Sequence, residues 1–236
     1  MRDAREFLST CPWLADTPPD AVHGLAAHAS WRDYRAGDAV YRCGSRPAGV
    51  FGIAAGQFKI VVASAHGRDA VSTVVPAGEW FGEAFLLADI PYFADCLALD
   101  KGRALFLPRA ALADFCAQWP VVYRRLNEVI CRKSLLIVRM AVQYKVGDPE
   151  MRLAHRLVMA MEETPRDAGA EWVTLRERLS HELLAQMLGL SRPRVTLAVQ
   201  ALTEAGVLIA RRGLVQVHAA RLQRYCSDAD IQQRRN

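Results

Sequence analysis

HELLAQMLGLSRPRVTLAVQAL, residues 181–202, splits into two short helical patterns around one glycine. The first pattern places Leu184, Ala185 and Leu188 on one face. The second starts at Ser191 and repeats through Val195, Ala198, Val199 and Leu202. Ser180 and Ser191 stand where N-caps belong, because a serine oxygen accepts from an orphan N–H of the first turn. Gly189 takes positive φ at little cost, which lets the chain turn sharply between helices. Ala185 is small where two crossing helices must approach. This is the helix-turn-helix pattern, and the bland alternative is an ordinary αα-hairpin of a bundle.

The second helix leaves Arg192, Arg194, Thr196, Leu197 and Gln200 on its outward face. Arginine forks suit guanine edges and phosphates, and glutamine suits adenine. Pro193 falls in the first turn, where a missing N–H costs nothing. Next comes GVLIARRGLVQVH, residues 206–218, two apolar strands around Arg211, Arg212 and Gly213. It reads as a hairpin with two positive charges at its tip, the wing of a winged helix-turn-helix.

The chain has 236 residues and a net charge of +5. Residues 172–226 hold eight arginines against three glutamates, so the basic excess lies in the reading region. Phosphate binding needs such a footprint, although a mild basic excess is common. No run of eighteen apolar residues occurs, so no membrane span is expected. MRDAREFLST lacks an apolar core, so it is not expected to be a signal peptide, and a cytoplasmic protein is expected. Cys11, Cys43, Cys96, Cys116, Cys131 and Cys226 show no metal or cluster spacing. Four of them sit in apolar surroundings and are expected to be buried. No histidine pair has metal-ligand spacing and no nucleophile motif is present. Neither catalysis, metal nor cofactor is expected.

From Ser30 to Leu107 short β-type runs alternate with glycines at 37, 44, 49, 56, 67, 78, 82 and 102. That texture suggests a sandwich or jelly roll. Residues 3–29 carry short helical pieces. After Pro108 the pattern turns helical, and a long helix opens at Pro120. Val122, Leu126, Val129, Leu136 and Met140 form a heptad-like seam with Lys133 at the missing position. Ile130, Ile137 and Tyr144 widen the stripe, so contacts to both a second copy and the β-domain are expected. Gly147, Asp148 and Pro149 mark a helix stop and start, and a candidate hinge.

An α+β chain in this order resembles the Crp/Fnr superfamily of bacterial transcription factors, over residues 5–226. The resemblance rests on Gly37, Gly44 and Gly56, on PAGEWFGEAFLL at 76–87 and on LAQMLGLSRPRV at 184–195. It implies an N-terminal effector-sensing jelly roll (1–108), a helix pair with the dimerisation helix (109–147) and a winged helix-turn-helix (148–236). It also implies double-stranded DNA, a second copy and RNA polymerase as partners, and leaves a small effector open. In such proteins Gly82 and Glu83 begin the phosphate-binding cassette, and Arg192 matches the arginine that reads guanine. Pro193 replaces the usual glutamate. Phe93 and Ala94 stand where the family's nucleotide binders carry an Arg-Ser pair. A phenyl ring cannot neutralise a phosphate, so the principal anion contact is missing. A pocket bounded by Phe81, Phe85, Leu86, Phe93 and Ile137 is therefore expected to be apolar. Lys133 aligns with a family arginine, and Glu83 either touches a ligand hydroxyl or closes a turn. One rival is a regulator without effector, its pocket filled by core. Another is a cupin-like enzyme fused to a reader, for which the strands offer only His66.

Overall fold

The computed structural model describes residues 3–63, 70–144, 148–165, 169–211 and 214–233, with the backbone alone for Leu136, 139–144 and 228–233. His66, Gly67, Gly147, Arg212 and Gly213 lie outside the described residues. The chain divides into two compact units, residues 1–68 with 72–135, and 69–71 with 136–236.

The first unit is a β-sandwich with helices on one side. One sheet is built from β1 (Ser30–Tyr34), β3 (Gly49–Ala55), β6 (Trp80–Phe81) and β8 (Gly102–Pro108), in the order β1-β8-β3-β6. The other uses β2 (Ala39–Tyr41), β4 (Gln57–Val62), β5 (Ala70–Pro76) and β7 (Asp95–Ala98), in the order β2-β7-β4-β5. Side chains alternate across a strand, so β8 serves two cores. Ala104 and Phe106 point between the sheets, toward Tyr34, Phe51, Phe58 and Phe81. Leu105 and Leu107 point the other way, toward Phe7, Trp13, Leu112 and Phe115. This double burial explains why RALFL is a nearly continuous apolar run rather than an alternating one. Trp80 and Phe81 divide in the same way, one ring into each core.

The helical layer is α1 (Ala4–Ser9), a 3₁₀ turn at Pro12–Leu14, α2 (Pro19–Ala26) and α4 (Arg109–Gln118). The start of the long α5 (Pro120–Tyr144) joins it. Between β6 and β7, α3 (Glu83–Ala88) forms the short helix of the cassette. The sequence pattern missed both β6 and α3, because each is too short to show a period. Cys11, Cys96, Cys116 and Cys226 are buried as expected, while Cys43 and Cys131 are exposed.

In the second unit α6 (Pro149–Glu162) is capped by Asp148, whose carboxylate accepts from Met151 N–H at 2.9 Å. It packs on α8 (Arg192–Glu204) and on α9 (Ala219–Gln233). The wing strands β10 (Leu208–Arg211) and β11 (Leu214–His218) pair antiparallel, Arg211 opposite Leu214. A third strand, β9 (Trp172–Thr174), pairs with β11. Its first residue, Trp172, is the last of the polar run TPRDAGAEW, which reads as a loop and hides it.

Candidate nucleic-acid interface and effector cassette

α7 (His181–Leu188) and α8 form the reading head. Ser180 Oγ accepts from Leu183 N–H at 3.1 Å, and Gly189 closes α7 with φ of 63°. That left-handed conformation costs most residues but not glycine. Ser191 occupies the N-cap of α8 with extended backbone, but its side chain makes no capping bond. Pro193 at the second helical position removes one of the two N–H groups such a cap would use.

Burial follows the expected period. Val195, Ala198 and Leu202 are buried and Val199 is half-buried. Arg192, Pro193, Arg194, Thr196, Leu197 and Gln200 are all exposed, with Leu197 an exposed large apolar side chain. The structure thus brings every expected reading residue of the helix onto one solvent face. Thr196 is less free than the sequence suggests. Its hydroxyl donates to Arg192 C=O at 3.1 Å and lies 3.0 Å from His181 Nδ1. Gln200 Nε2 donates to Glu204 Oε1 at 3.0 Å. His181 was missed from sequence; its position fifteen residues before Thr196 carries no helical signal. Arg211 is exposed at the end of β10.

Beneath the head lies a buried ion pair. Arg156 of α6 donates to Glu177, and both side chains are almost fully enclosed. A charge removed from water is tolerated only with a partner of good geometry. The pair fixes the segment that leads into α7. Twenty-one residues separate its members, so no local spacing announces it.

In the sandwich, Gly82 turns the chain into α3 with φ of 92°, a conformation L side chains avoid. Glu83 follows, 5% exposed, and Glu83 Oε1 accepts from Lys133 Nζ at 2.6 Å. Lys133 also donates to Trp80 C=O at 2.7 Å. The acid therefore does more than close a turn: it binds the cassette to α5. Phe81 and Phe85 join the inter-sheet cluster, but Leu86 belongs to the helical-side core. Ala94 is buried, whereas Phe93 is 64% exposed and tilts against Phe85 with ring centroids 5.0 Å apart. Ile137 is likewise exposed. Within the first unit, the expected pocket residues therefore point different ways: Phe81 and Phe85 to the inter-sheet cluster, Leu86 to the helical-side core and Phe93 to solvent. The inter-sheet space is instead occupied by rings, Tyr41 on Tyr92 at 3.6 Å and Phe51 on Phe81 at 5.3 Å.

The seam on α5 does not face one way along its length. Val122 and Leu126 are 0% and 1% exposed, packed into their own unit's helical-side core. The N-terminal end of the stripe thus covers Trp13, Leu14 and Phe115 rather than a partner. Val129 is half-buried and Lys133 is spent on the cassette; for Leu136 and Met140 only the backbone is described. Among the described side chains, the large apolar residues that α5 exposes are Tyr123, Leu135, Ile137 and Val138.

Fold and face together define a winged-helix DNA-binding protein with a β-sandwich domain. Residues 31–118 match the cyclic nucleotide-binding domain, and residues 151–225 match the Crp-like helix-turn-helix domain. The chain belongs to the Crp/Fnr superfamily, Crp-like transcription regulators whose members bind DNA and act as dimers. It is 25% identical, over 82% of its length and 86% of the relative's, to a CRP-like cAMP-activated global transcriptional regulator of Mycobacterium tuberculosis. FixK2 from Bradyrhizobium japonicum shares the fold with a TM-score of 0.70 at 18% identity, covering 83% of this chain and 96% of that one. The c-di-GMP responsive regulator CLP of Xanthomonas campestris shares it with a TM-score of 0.64 at 18% identity, covering 85% and 99%. No helix among the described residues is long and apolar enough to cross a membrane. No three His, Cys, Asp or Glu side chains among them converge to hold a metal.

Proposed function

We propose that this protein is a homodimeric, sequence-specific regulator gated by a small effector other than cyclic AMP. In this reading residues 148–236 read DNA, 109–147 carry the dimer contact and 1–108 sense the effector. Arg192, Arg194, Thr196, Leu197 and Gln200 face the major groove, with Ser180, Ser191 and Pro193 setting the helix starts. Arg211 and Arg212 bring the wing to the phosphates, and bound dimer engages RNA polymerase. The effector would favour one arrangement of the dimer by binding it better than the other.

The observation that carries the effector reading is the pair Phe93 and Ala94. The Mycobacterium relative is cAMP-activated. Here, a cyclic phosphate at the cassette would lose hydration and find at these two positions an outward-facing phenyl ring and a buried methyl group, neither of them a cation or a donor. Lys133, already donating to Glu83 and Trp80, is a point charge that cannot grip two oxygens as a guanidinium does. Calorimetric titration with cyclic AMP should show no binding at micromolar levels, and tight binding would overturn the reading. Selection from random duplexes should enrich an inverted repeat, as two-fold dimers require. The ring-filled sandwich favours a second reading, a regulator without effector; mass spectrometry of native protein separates the two by what is bound.

A further inference from the structure

The middle of the reading helix is less polar than its composition suggests. Thr196 and Leu197 lie between the arginines of the first turn and Gln200, on the same exposed face of α8. The Thr196 hydroxyl has one proton to give, and it gives it to Arg192 C=O at 3.1 Å. Toward His181 Nδ1, 3.0 Å away, the same oxygen then accepts, so His181 carries a proton on Nδ1. That donor is present both in the neutral ring of this tautomer and in the charged ring, so the contact does not depend on pH. With the proton spent and His181 against the oxygen, the methyl rather than the hydroxyl is what Thr196 offers a base edge. Leu197, 62% exposed, adds a second apolar group at the next position. An isolated exposed leucine is ordinary. Here it adjoins a threonine whose hydroxyl is already engaged, on the one face of the helix that carries arginine and glutamine.

We infer that Thr196, positioned by His181, and Leu197 form an apolar contact that selects thymine through its C5-methyl group. The inference rests on the reading of α8 as the recognition helix. In the major groove thymine alone presents a methyl group, and the other bases present donors and acceptors at their edges. An adenine, guanine or cytosine edge pressed against these two side chains would give up its water and gain no hydrogen bond in return. The helix thus divides its work along its length. The first turn offers the forks of Arg192 and Arg194 to guanine and phosphate, and the second turn offers hydrocarbon to thymine. His181, which belongs to α7, is a positioning residue: it keeps the Thr196 hydroxyl turned to the protein.

The test uses the full-length protein and the duplex enriched by selection. Each thymine of one half-site is replaced in turn by deoxyuridine, which removes the methyl and keeps the hydrogen-bonding edge. Anisotropy titration of the wild type should show about fourfold weaker binding at two of these positions, the effect of leaving one methyl group in water. Thr196→Ser should abolish the penalty at one position, and Thr196→Val should keep it. Leu197→Ala should abolish it at the other. His181→Ala should shrink the Thr196 penalty, and His181→Asn, whose amide nitrogen can stand in for Nδ1, should restore it. A selected half-site without thymine, or no deoxyuridine penalty in the wild type, overturns the contact. So does a penalty that persists in both Thr196→Ser and Leu197→Ala. A penalty left whole in His181→Ala overturns the positioning role. Failure of the wild type to prefer the selected duplex over a random one instead overturns the reading of α8 itself.

Discussion

The reading head and the sandwich interior place their chemistry in opposite ways. The head carries Arg192, Arg194 and Gln200 on an exposed face whose geometry one helix dictates. The interior joins Tyr41, Glu83, Tyr92 and Lys133 from a strand, a short helix, a loop and the long helix. A helical face can be read from a period of 3.6, because residues three and four apart must be neighbours. A cluster assembled across four elements has no such signature. What differs physically is the distance along the chain over which the neighbours are fixed.

The largest effect should come from the charge pair buried beneath the head. Arg156→Ala leaves Glu177 enclosed without its cation, which costs about 3–5 kcal/mol. Chemical denaturation should show the second unit unfolding early while the sandwich holds. An unfolding midpoint unchanged for both units would mean that the pair is dispensable to the head.

Next comes the contrast along α5. Leu126→Asp places a carboxylate into a fully enclosed apolar site, at a cost of several kcal/mol, and should unfold the sandwich rather than release a clean monomer. Val138→Asp alters a side chain that is 60% exposed, so the fold should survive and self-association weaken. Light scattering with calorimetry distinguishes the outcomes. A folded monomer from Leu126→Asp would return the dimer contact to the N-terminal half of the helix.

The head itself provides a smaller and more specific test. Arg192→Ala should cost about 1–3 kcal/mol on the selected duplex and relax the choice at one base pair. Arg211→Ala should weaken specific and random duplexes alike and reduce the salt dependence. Anisotropy titrations at several salt concentrations measure both. Equal losses from the two variants on both duplexes would mean that the helix and the wing do not divide these roles.

The same contrast explains what was legible beforehand. The strands, the long helix and the reading face follow from alternation, from glycine turns and from the buried Val195, Ala198 and Leu202. Phe93 and Ala94 at the cassette were also legible as a departure in charge. The directions of Leu86 and Phe93 escape the sequence because α3, which carries Leu86, is six residues long and too short for periodicity, and Phe93 lies in the irregular stretch between α3 and β7. Val122 and Leu126 were misassigned for another reason. An apolar stripe states that a face is covered, and the same residues suit the chain's own core or a second copy.

The smallest effect belongs to a surface pair, and it calibrates the first. Asp95, at the start of β7, accepts from Cys43 N–H at 2.7 Å and from Arg42 at 2.7 Å. The Cys43 amide chiefly, helped by Arg42, holds the Asp95 carboxyl below the usual carboxylate range. A group depressed on folding stabilises the fold at pH values above its unfolded-state titration. That contribution fades as pH falls through the lowered value, where folded and unfolded chains bind the proton alike. Asp95→Asn keeps an oxygen for the Cys43 amide and removes only the charge. Because Arg42 is largely exposed, the loss at neutral pH should be about 0.5–1 kcal/mol. Denaturant titrations of wild type and variant should differ by that amount at pH 7 and converge on acidification. Added salt should narrow the gap as well, since solvent ions screen this pair and cannot reach the one between Arg156 and Glu177. A gap that persists undiminished to acid pH would assign the loss to packing around the β2–β7 pairing instead of charge.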